Sequence, residues 1–480
     1  MVIKKRDDPD LPPVPPIPTQ VRSNGEYVPL PKTEKQKEVD YRLLEYADRY
    51  GKPRGLSRRH FMQTTSGFAA AMLAMNRVYG NRFFEVAEVE AADEAAAVEA
   101  ALRTRKGNQF IFDDQTHWLN AARLEDAKTE RGKIARDFLF GVRKSVVPGS
   151  TLQDIGTEAA YVKQVFLESE TTMSIISGVP AAAGDEEILL PIDKMVGTRD
   201  HVNEKAGARR MLSHGLVAPN DPRNLEMMEW QAKELKIDSW KGYTADGISG
   251  RYPTGGYYGG WYLDDTKVAF PMYAMMRKLG IKNFCIHKGL AVIWFDEKYC
   301  RMQDLEPAVL ANPDINFIVY HSGYHWVDDL ANVTRFKRNP AINVADNLYA
   351  ELGSTFAFTA VGAPVECAHV LGKLITHVGA DRMVWGSDSV WWGSPQWQID
   401  AFRRFQIPED IQKGYGYKPI TDKDKELILG LNSARLYGID VERTMQQLAK
   451  DEISTVRTAV APQLTPAFRK YAAAAGLPSA

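Results

Sequence analysis

Eight short runs rich in β-branched and aromatic residues recur between residue 108 and residue 389, and helical patterns such as "LEMMEWQAKEL" and "AFPMYAMMRKLG" lie between several of them. Strands that alternate with helices are typical of a parallel sheet, and eight such units predict a (β/α)8 TIM barrel of the α/β class. In this fold the active site forms at the carboxyl ends of the strands. The predicted strands are "NQFIFDDQTH", "TMSIISGV", "RRMLSHGLVA", "KIDSWKGYT", "IKNFCIHKG", "INFIVYHSG", "NLYAELGS" and "RMVWGSDS".

Polar side chains stand at the ends of four of these predicted strands. His117 ends the first strand, His287 the fifth, His321 the sixth and Asp388 the eighth. A lone histidine on a strand is more often a hydrogen-bonded core residue than a functional one, but four polar strand ends at one barrel mouth indicate a shared site. Three imidazoles and one carboxylate suit zinc, and they also accept manganese or iron. The pattern therefore predicts a divalent metal centre.

The first strand also predicts which side chains share the inner face of the barrel. Residues two apart on a strand point to the same side. Asp113, Gln115 and His117 are therefore expected to face the interior, whereas Asp114 and Thr116 are expected to face the helices.

Charge and cysteine content narrow the class of partner. Sixty lysine and arginine residues against 61 acidic residues give a formal net charge of -1, so no overall field attracts nucleic acid. The three cysteines form no C-x-x-C pair, which argues against a disulfide framework and a cysteine-based zinc site. No stretch approaches the apolar length of a membrane span. The expected partner is a small-molecule substrate.

Two extensions flank the predicted barrel, which covers residues 108–440. Residues 1–56 form a proline-rich and polar arm, a composition that favours extended chain or an arm laid over a partner. Residues 441–480 form a tail that contains a predicted amphipathic helix, "MQQLAKDEISTVRTAV". Both extensions suit contacts with another protomer, so a homo-oligomer or a partner subunit is expected.

Residues 57–107 lead into the barrel and begin with "SRRHFMQTTSGFAAAMLAM". This segment resembles a twin-arginine export signal through Ser57, Arg58, Arg59 and Phe61, followed by an apolar run. Two locations follow as alternatives. The protein is exported to the bacterial periplasm, or it stays in the cytoplasm with this segment docked as a helix on the barrel or on a neighbouring subunit.

The order of motifs across the predicted barrel resembles the amidohydrolase superfamily, in particular the amidohydrolase-related branch that contains aminocarboxymuconate-semialdehyde decarboxylase. The H-x-H motif of that family corresponds here to "QTH", which ends at His117. "HSGYHW" carries the sixth-strand His321, and "WGSDS" carries the eighth-strand Asp388. The closing "ELILGLNSARLYGI" is similar to the terminal helix of the family and follows at a typical distance.

The resemblance implies a role for each polar strand end. His117, His287 and Asp388 would bind the metal, zinc first and manganese or iron as alternatives. Gln115 occupies the place of a further ligand, although a carboxamide is a poorer donor to zinc than imidazole. His321 would transfer a proton to or from the substrate, and Asp388 would accept the proton of an attacking water.

Lys241 raises the alternative of a second metal ion. It lies near the end of the predicted fourth strand, where dinuclear members of the superfamily carry a carboxylated lysine. If Lys241 bridges two ions, His287 and His321 both become ligands. The other interpretation is a solvated or ion-paired lysine.

Two loops suggest the kind of substrate. The loop after the fourth strand, "ADGISGRYPTGGYYGGWYLDD", contains Arg251 and Tyr257, and the loop after the eighth strand contains Trp391 and Trp392. Aromatic walls suit a planar or apolar ligand, and Arg251 could pair with a carboxylate. These aromatic side chains equally suit a subunit interface.

Four functions remain open at this point. The first is a metal-dependent hydrolase that acts on a small aromatic or cyclic compound through metal-activated water. The second is a non-oxidative decarboxylase on the same scaffold, and the third is a manganese- or iron-dependent oxygenase. The fourth is a non-catalytic barrel that supports a partner subunit.

Overall fold

Eight parallel strands form the centre of the protein in a computed structural model that describes residues 15–20, 31–105, 109–125, 133, 155–178, 190–245, 260–291, 295–389 and 391–464. Each strand pairs with the strand that follows it in the chain, so the order around the sheet is the order in the sequence. The predicted (β/α)8 barrel is therefore confirmed. The strands are β1 (Phe112–Thr116), β2 (Met173–Ile176), β3 (Met211–Val217), β4 (Ser239–Tyr243), β5 (Asn283–His287), β6 (Asn316–Tyr320), β7 (Leu348–Glu351) and β8 (Met383–Val384).

The last strand returns to the first and nearly closes the barrel. The N–H of Asp114 donates to the carbonyl of Trp385 at 2.8 Å, and the N–H of His117 donates to the carbonyl of Ser389 at 2.6 Å. An isolated parallel bridge joins Thr116 to Ser389. This closure places the segments after β1 and β8 side by side at the carboxyl end.

Helices cover the outside of the barrel and build both extensions. The amino-terminal helices are α1 (Glu34–Tyr46), α2 (Arg58–Met62), α3 (Thr65–Tyr79), α4 (Glu88–Ala92) and α5 (Glu94–Arg105). The helices from β1 to β8 are α6 (Ala121–Glu125), α7 (Glu158–Val162), α8 (Ile192–Ala206), α9 (Asn224–Lys233), α10 (Ala269–Leu279), α11 (Glu297–Cys300), α12 (Leu305–Ala311), α13 (Val327–Lys337), α14 (Thr355–Gly362) and α15 (Pro364–Lys373). The carboxyl-terminal helices are α16 (Gln396–Arg404), α17 (Glu409–Tyr415), α18 (Asp422–Glu426), α19 (Asn432–Leu436), α20 (Val441–Leu448) and α21 (Glu452–Leu464).

Shorter helical turns complete the description. Turns of the π type follow α1 at Ala47–Gly51, α7 at Lys163–Leu167, α15 at Leu374–Val378 and α18 at Leu427–Leu431. Single 3₁₀ turns occur at Lys52–Arg54, His321–Gly323, Pro340–Ile342 and Ala380–Arg382. The turn at His321–Gly323 directly follows β6, so the strand end bends sharply at the candidate site.

The alternation expected along β1 is wrong at two positions. The pairing of β1 with β2 shifts register between Asp113 and Thr116, so side chains in this stretch do not simply alternate. Asp113 accepts a hydrogen bond from the Ser387 N–H at 2.8 Å and acts electrostatically on Tyr161 of α7, outside the sheet. Asp114 instead interacts with Lys241 inside the barrel.

The twin-arginine-like segment forms α2 and α3 and packs as part of the protein. Ser57 caps α2 by accepting from the His60 N–H at 3.2 Å, and Arg58 donates to Asp48 at 2.8 Å. Phe61 and Met62 are buried. Whether this segment directs export stays a prediction. Among the described residues, no helix is both long enough and apolar enough to cross a membrane.

The extensions are fastened to the barrel through backbone and ionic contacts. Phe84 forms an antiparallel bridge with Phe405, which follows α16, and Arg404 pairs with Glu90 of α4 at 2.6 Å. The predicted amphipathic helix of the tail is in fact two helices, α20 and α21. They break at Asp451, whose carboxylate caps Ser454 and pairs with Arg210 at 2.6 Å.

The Arg210–Asp451 pair is expected to be important for stability because both side chains are almost fully buried, at 2% and 0% exposure. Removing the carboxylate leaves a buried guanidinium whose remaining acceptors are neutral. Asp451→Asn should therefore lower the free energy of unfolding by about 3–5 kcal/mol, measured by urea denaturation. Glu409→Gln, which breaks the exposed pair with Lys413, serves as the control and should cause no measurable change. Equal effects of the two substitutions would contradict this assignment.

Candidate active site at the carboxyl end of the barrel

Four of the predicted site residues meet at the carboxyl ends of β1, β5, β6 and β8. His117 Nε2 lies 2.6 Å from Asp388 Oδ1, and His321 Nε2 lies 3.2 Å from His287 Nδ1. The charge of Asp388 also acts on both rings of the second pair. His287, His321 and Asp388 are buried, whereas the side chain of His117 keeps 13% exposure. The group therefore opens toward solvent at His117.

Two backbone carbonyls determine which ring nitrogens of His287 and His321 carry hydrogen. His321 Nδ1 lies 2.8 Å from the Gly353 carbonyl, and His287 Nε2 lies 3.2 Å from the Leu290 carbonyl. A carbonyl only accepts, so these two nitrogens must donate. In the neutral rings the other two nitrogens, which face each other, then both lack a proton.

Burial keeps both imidazoles neutral. It lowers the pKa of His321 to about 4, and burial together with the neighbouring His321 lowers the pKa of His287 well below its ordinary value. Two unprotonated nitrogens 3.2 Å apart repel each other unless a cation lies between or beside them. A cation bound to one of these nitrogens would relieve the repulsion.

Aromatic side chains fix the ring of His287. Tyr243 stacks on it with ring centroids 4.9 Å apart, and Phe295 meets it edge-on at 5.1 Å. Tyr243 ends β4 next to His287 in the sheet register, so the stack follows from the strand pairing. The imidazole has little freedom to turn Nδ1 away from His321.

Asp388 is held by partners on both carboxylate oxygens. Oδ1 contacts His117, and Oδ2 accepts from the Ser354 hydroxyl, which in turn accepts from the Trp392 indole N–H at 3.0 Å. Burial alone would raise the pKa of Asp388, but the hydrogen bonds and the nearby imidazoles outweigh it and hold the pKa below its ordinary value. Asp388 is therefore ionised.

Glu351, at the end of β7, accepts hydrogen bonds from the backbone of the site. Its Oε2 accepts from the His321 N–H at 2.9 Å, and its Oε1 accepts from the Gly353 N–H at 2.5 Å. Burial raises the pKa of this carboxyl well above its ordinary value. A Cβ at position 386 would lie 1.7 Å from Glu351 Oε1, so Gly386 provides the space that this side chain occupies.

The side chain of Gln115 lies next to Gly353, Gly386 and Glu351. Its Oε1 is buried with no hydrogen-bond partner among the described residues and would lie 2.2 Å from a Cβ at position 353. The carboxamide is thus directed toward the β7 end, beside Glu351. Its backbone carbonyl accepts from the Asp388 N–H at 2.9 Å, which keeps β1 and Asp388 adjacent.

Lys241 lies deeper in the barrel, on the faces of two tyrosines. Its Nζ is 3.6 Å from the ring centroid of Tyr320 and 4.8 Å from that of Tyr243. His214 of β3 lies in the same layer, with Nε2 2.8 Å from the Tyr320 hydroxyl. Sequence reasoning missed His214 because it lies within a strand and not at its end; its inward position in "SHG" was the available signal.

The predicted substrate-binding residues divide into three groups. Arg251 and Tyr257 lie outside the described residues. Trp391 meets the ring of His117 edge-on at 5.8 Å, at the open side of the site. Trp392 is 2% exposed and donates its indole N–H to Ser354, another residue that sequence reasoning missed.

The donor chemistry of the site fits a divalent ion, although its present geometry is two pairs. Among the described residues, no group of three or more His, Cys, Asp or Glu side chains is placed so that it could hold a metal ion. His117, His287 and Asp388 nevertheless offer two imidazole nitrogens and a carboxylate, which are donors that zinc accepts. For His117 Nε2 to bind the ion, the hydrogen that it donates to Asp388 must move to Nδ1 or leave the ring.

The buried carboxyl groups of β1 should make stability depend on pH. Burial raises the pKa of Asp114 to about 7, although the Tyr437 hydroxyl acts in the opposite direction. A raised folded-state pKa means that Asp114 destabilises the fold increasingly as pH rises from about 4 to about 7. Asp114→Asn should therefore gain free energy of unfolding relative to the wild type across this window, by up to about 1.4 kcal/mol per pH unit, and the gain should level off above pH 7.

Urea denaturation of the metal-free proteins at several pH values measures this difference. Asp410→Asn is the matched control because hydrogen bonding from Asn81 lowers the pKa of this exposed carboxylate, so its effect should be flat above pH 4. A flat profile for Asp114→Asn as well would contradict the raised pKa.

Comparisons with known proteins concern the barrel as a whole and not its individual site residues. The amidohydrolase family model matches residues 214–439, a segment that contains His287, His321 and Asp388 but not β1. No curated protein matches the chain. The chain is similar to the solved structures of a 2,6-dihydroxybenzoate decarboxylase from Rhizobium (15% identity, TM-score 0.41, 69% of this chain and 99% of that chain) and a 4-oxalomesaconate hydratase from Rhodopseudomonas palustris (16%, 0.41, 70% and 98%).

A third similar structure is an amidohydrolase from Mycobacterium avium subsp. paratuberculosis K-10, at 13% identity and a TM-score of 0.37, over 69% of this chain and 100% of that chain. At such identities and scores, the likeness extends to no particular substrate or residue role. The family model covers the barrel from within β3 to just beyond α19, slightly less than half of the chain. Residues 214–439 thus resemble the amidohydrolase family, and this likeness fits an enzyme.

Proposed function

We propose that this protein is a metal-dependent hydrolase that acts on a small aromatic or cyclic substrate. The observation that carries the proposal is the pair of facing, unprotonated nitrogens of His287 and His321, 3.2 Å apart and held by two carbonyl acceptors. A cation bound to His287 would relieve the repulsion and leave His321 Nε2 available for proton transfer. The pair lies at the carboxyl end of the barrel strands, where enzymes of this fold place their chemistry.

His117, His287 and Asp388 would hold the ion, and zinc suits two imidazoles and a carboxylate best. When bound, the ion would lower the pKa of a water molecule and polarise an oxygen of the substrate. The three side chains come from the ends of β1, β5 and β8, and the two pairs would have to approach each other for all three to bind one ion. Gln115 stays outside this set because its carboxamide is directed toward Glu351.

His321 would move the proton during the reaction. Its Nδ1–H is engaged by the Gly353 carbonyl, which leaves Nε2 as the nitrogen that takes up or delivers a proton. The backbone of His321 is also held in place, because Thr355 donates to its carbonyl at 2.6 Å and Glu351 accepts from its backbone N–H. A fixed, neutral imidazole suits general acid–base catalysis.

Aromatic side chains support the proposed substrate class. Trp391 stands edge-on to His117 at the exposed side of the site, and Tyr243 and Phe295 enclose His287 on the other side. A planar or cyclic compound packs well between such walls. Arg251 and Tyr257 would add a carboxylate partner and a further ring.

Metal binding should depend on His117. Asp388 is ionised, so His117 Nε2 donates to it at 2.6 Å, and that hydrogen must move to Nδ1 or leave the ring before Nε2 can act as a ligand. Calorimetric titration of the protein with Zn²⁺ should give stoichiometric binding. His117→Asn should weaken binding. The absence of stoichiometric binding of Zn²⁺, Mn²⁺ or Fe²⁺ to the wild type would overturn the proposal.

Replacing His321 distinguishes a proton-transfer role from a role as a metal ligand. If it only transfers protons, His321→Asn should retain the metal but lose turnover by about 10²–10⁴-fold. If metal content falls with activity, His321 is a ligand instead, as the alternative with two ions requires. Elemental analysis and a turnover assay on a panel of small aromatic esters, amides and carboxylates measure both. Release of carbon dioxide without consumption of water would identify a decarboxylase and not a hydrolase.

A further inference from the structure

We propose that Trp392 and Ser354 are positioning residues that orient the carboxylate of Asp388, and that Trp392 serves this purpose and does not form a wall of the substrate site. The inference rests on the proposed function only where metal affinity is the measured quantity. The sequence patterns assigned Trp392 to substrate binding and gave Ser354 no role.

A continuous chain of hydrogen bonds joins the two residues to the site. The indole Nε1 of Trp392 lies 3.0 Å from Ser354 Oγ, and Ser354 Oγ contacts Asp388 Oδ2. An indole N–H can only donate, so the serine oxygen accepts from it and its own hydroxyl hydrogen goes to Asp388. The direction of every bond in the chain is therefore determined. Asp388 Oδ1 is left to face His117.

Water cannot easily replace these hydrogen bonds, because all three side chains are buried. Ser354 is 0% exposed, Asp388 1% and Trp392 2%. Without the Ser354 hydroxyl, Oδ2 would be a buried charged oxygen that has lost its donor, and no water could enter at low cost. The carboxylate would turn to recover a donor, and the contact between Oδ1 and His117 would change with it.

The backbone conformations of Ser354 and Asp388 support a functional role for the hydrogen bond between them. Ser354 has φ 54° and Asp388 has φ 56°, so both residues adopt the left-handed conformation that side chains other than glycine rarely occupy. Such residues cluster at functional sites because the surrounding structure must compensate for the strain. Here the two strained residues, at the ends of β7 and β8, are the two that the hydrogen bond joins.

Packing holds the indole of Trp392 in place. Phe358 meets it edge-on with ring centroids 5.2 Å apart, and Trp397 lies at 6.3 Å and donates to its backbone carbonyl at 3.2 Å. Its neighbour Trp391 instead lies against His117. Two adjacent tryptophans thus take different positions: one borders the open side of the site, and the other lies behind Asp388.

Two substitutions test the inference, and a third is the control. Ser354→Ala removes the link to Asp388, and Trp392→Phe keeps an aromatic ring but removes the N–H. Trp385→Phe is the matched control, because Trp385 is equally buried and its Nε1 has no hydrogen-bond partner among the described residues. All three variants lose core volume or a polar group, but only the first two alter the chain to Asp388.

Three measurements on each full-length variant decide the question. Zn²⁺ affinity by calorimetry should fall about 10–100-fold in Ser354→Ala and about 10-fold in Trp392→Phe, the usual effect of removing a partner of a ligand, and it should stay near wild type in Trp385→Phe. The visible bands of the Co²⁺-substituted protein should shift in the same two variants. Crystal structures of the metal-free proteins should show the Asp388 carboxylate turned and its contact with His117 lengthened.

Wild-type affinity, unchanged Co²⁺ bands and an unmoved Asp388 in both variants would overturn the inference. Equal losses in all three variants would also overturn it, since they would reflect general damage to the core. If the wild type binds no metal, the proposed function fails, and the metal-free crystal structures still decide whether Ser354 and Trp392 orient Asp388.

Discussion

The site depends on one constraint: two backbone carbonyl groups accept the ring N–H of His287 and the ring N–H of His321. Each carbonyl belongs to a loop that leaves a strand end, at Leu290 after β5 and Gly353 after β7. By accepting the outer hydrogens, they leave the inner nitrogens unprotonated and face to face. The two inner nitrogens therefore repel each other, and a bound cation would remove this repulsion. Hydrogen bonds from outside the site determine its chemistry before any ligand arrives.

Sharp turns at the strand ends make this arrangement possible. His321, Ser354 and Asp388 all have φ between 54° and 63°, so the chain bends back just where each functional side chain is presented. Glu351 compensates for part of this strain, because its carboxylate accepts the N–H groups of His321 and Gly353 that the bends leave inside the barrel. At the β6–β8 edge, the positive φ values, the hydrogen bonds of the buried backbone N–H groups and the directions of the side chains therefore depend on one another.

Sequence patterns predicted the barrel and the meeting of His117, His287, His321 and Asp388, because strand periodicity and strand ends are local features. They could not predict which nitrogen of each imidazole faces inward, since that depends on carbonyls from other loops. Asp113 and Asp114 lie on the sides opposite to those expected, because the pairing of β1 with β2 shifts register. Such a shift is a property of strand pairing and not of the local sequence. Ser354 and Trp392 were not recognised as a pair because 38 residues separate them, and only the closed barrel brings them together.

Gln115 shows why a motif departure has to be judged by its surroundings. A Cβ at position 353 would lie 2.2 Å from its Oε1, and a Cβ at position 386 would lie 3.0 Å from its own Cβ and 1.7 Å from Glu351. Gln115, Glu351 and the two glycines thus share one space, and each limits the size of the others. An imidazole at position 115 would have to fit this same space beside a buried carboxyl. The glutamine is therefore one element of a packed group at the β7–β8 edge, and the ligands of the proposed ion come from the remaining strand ends.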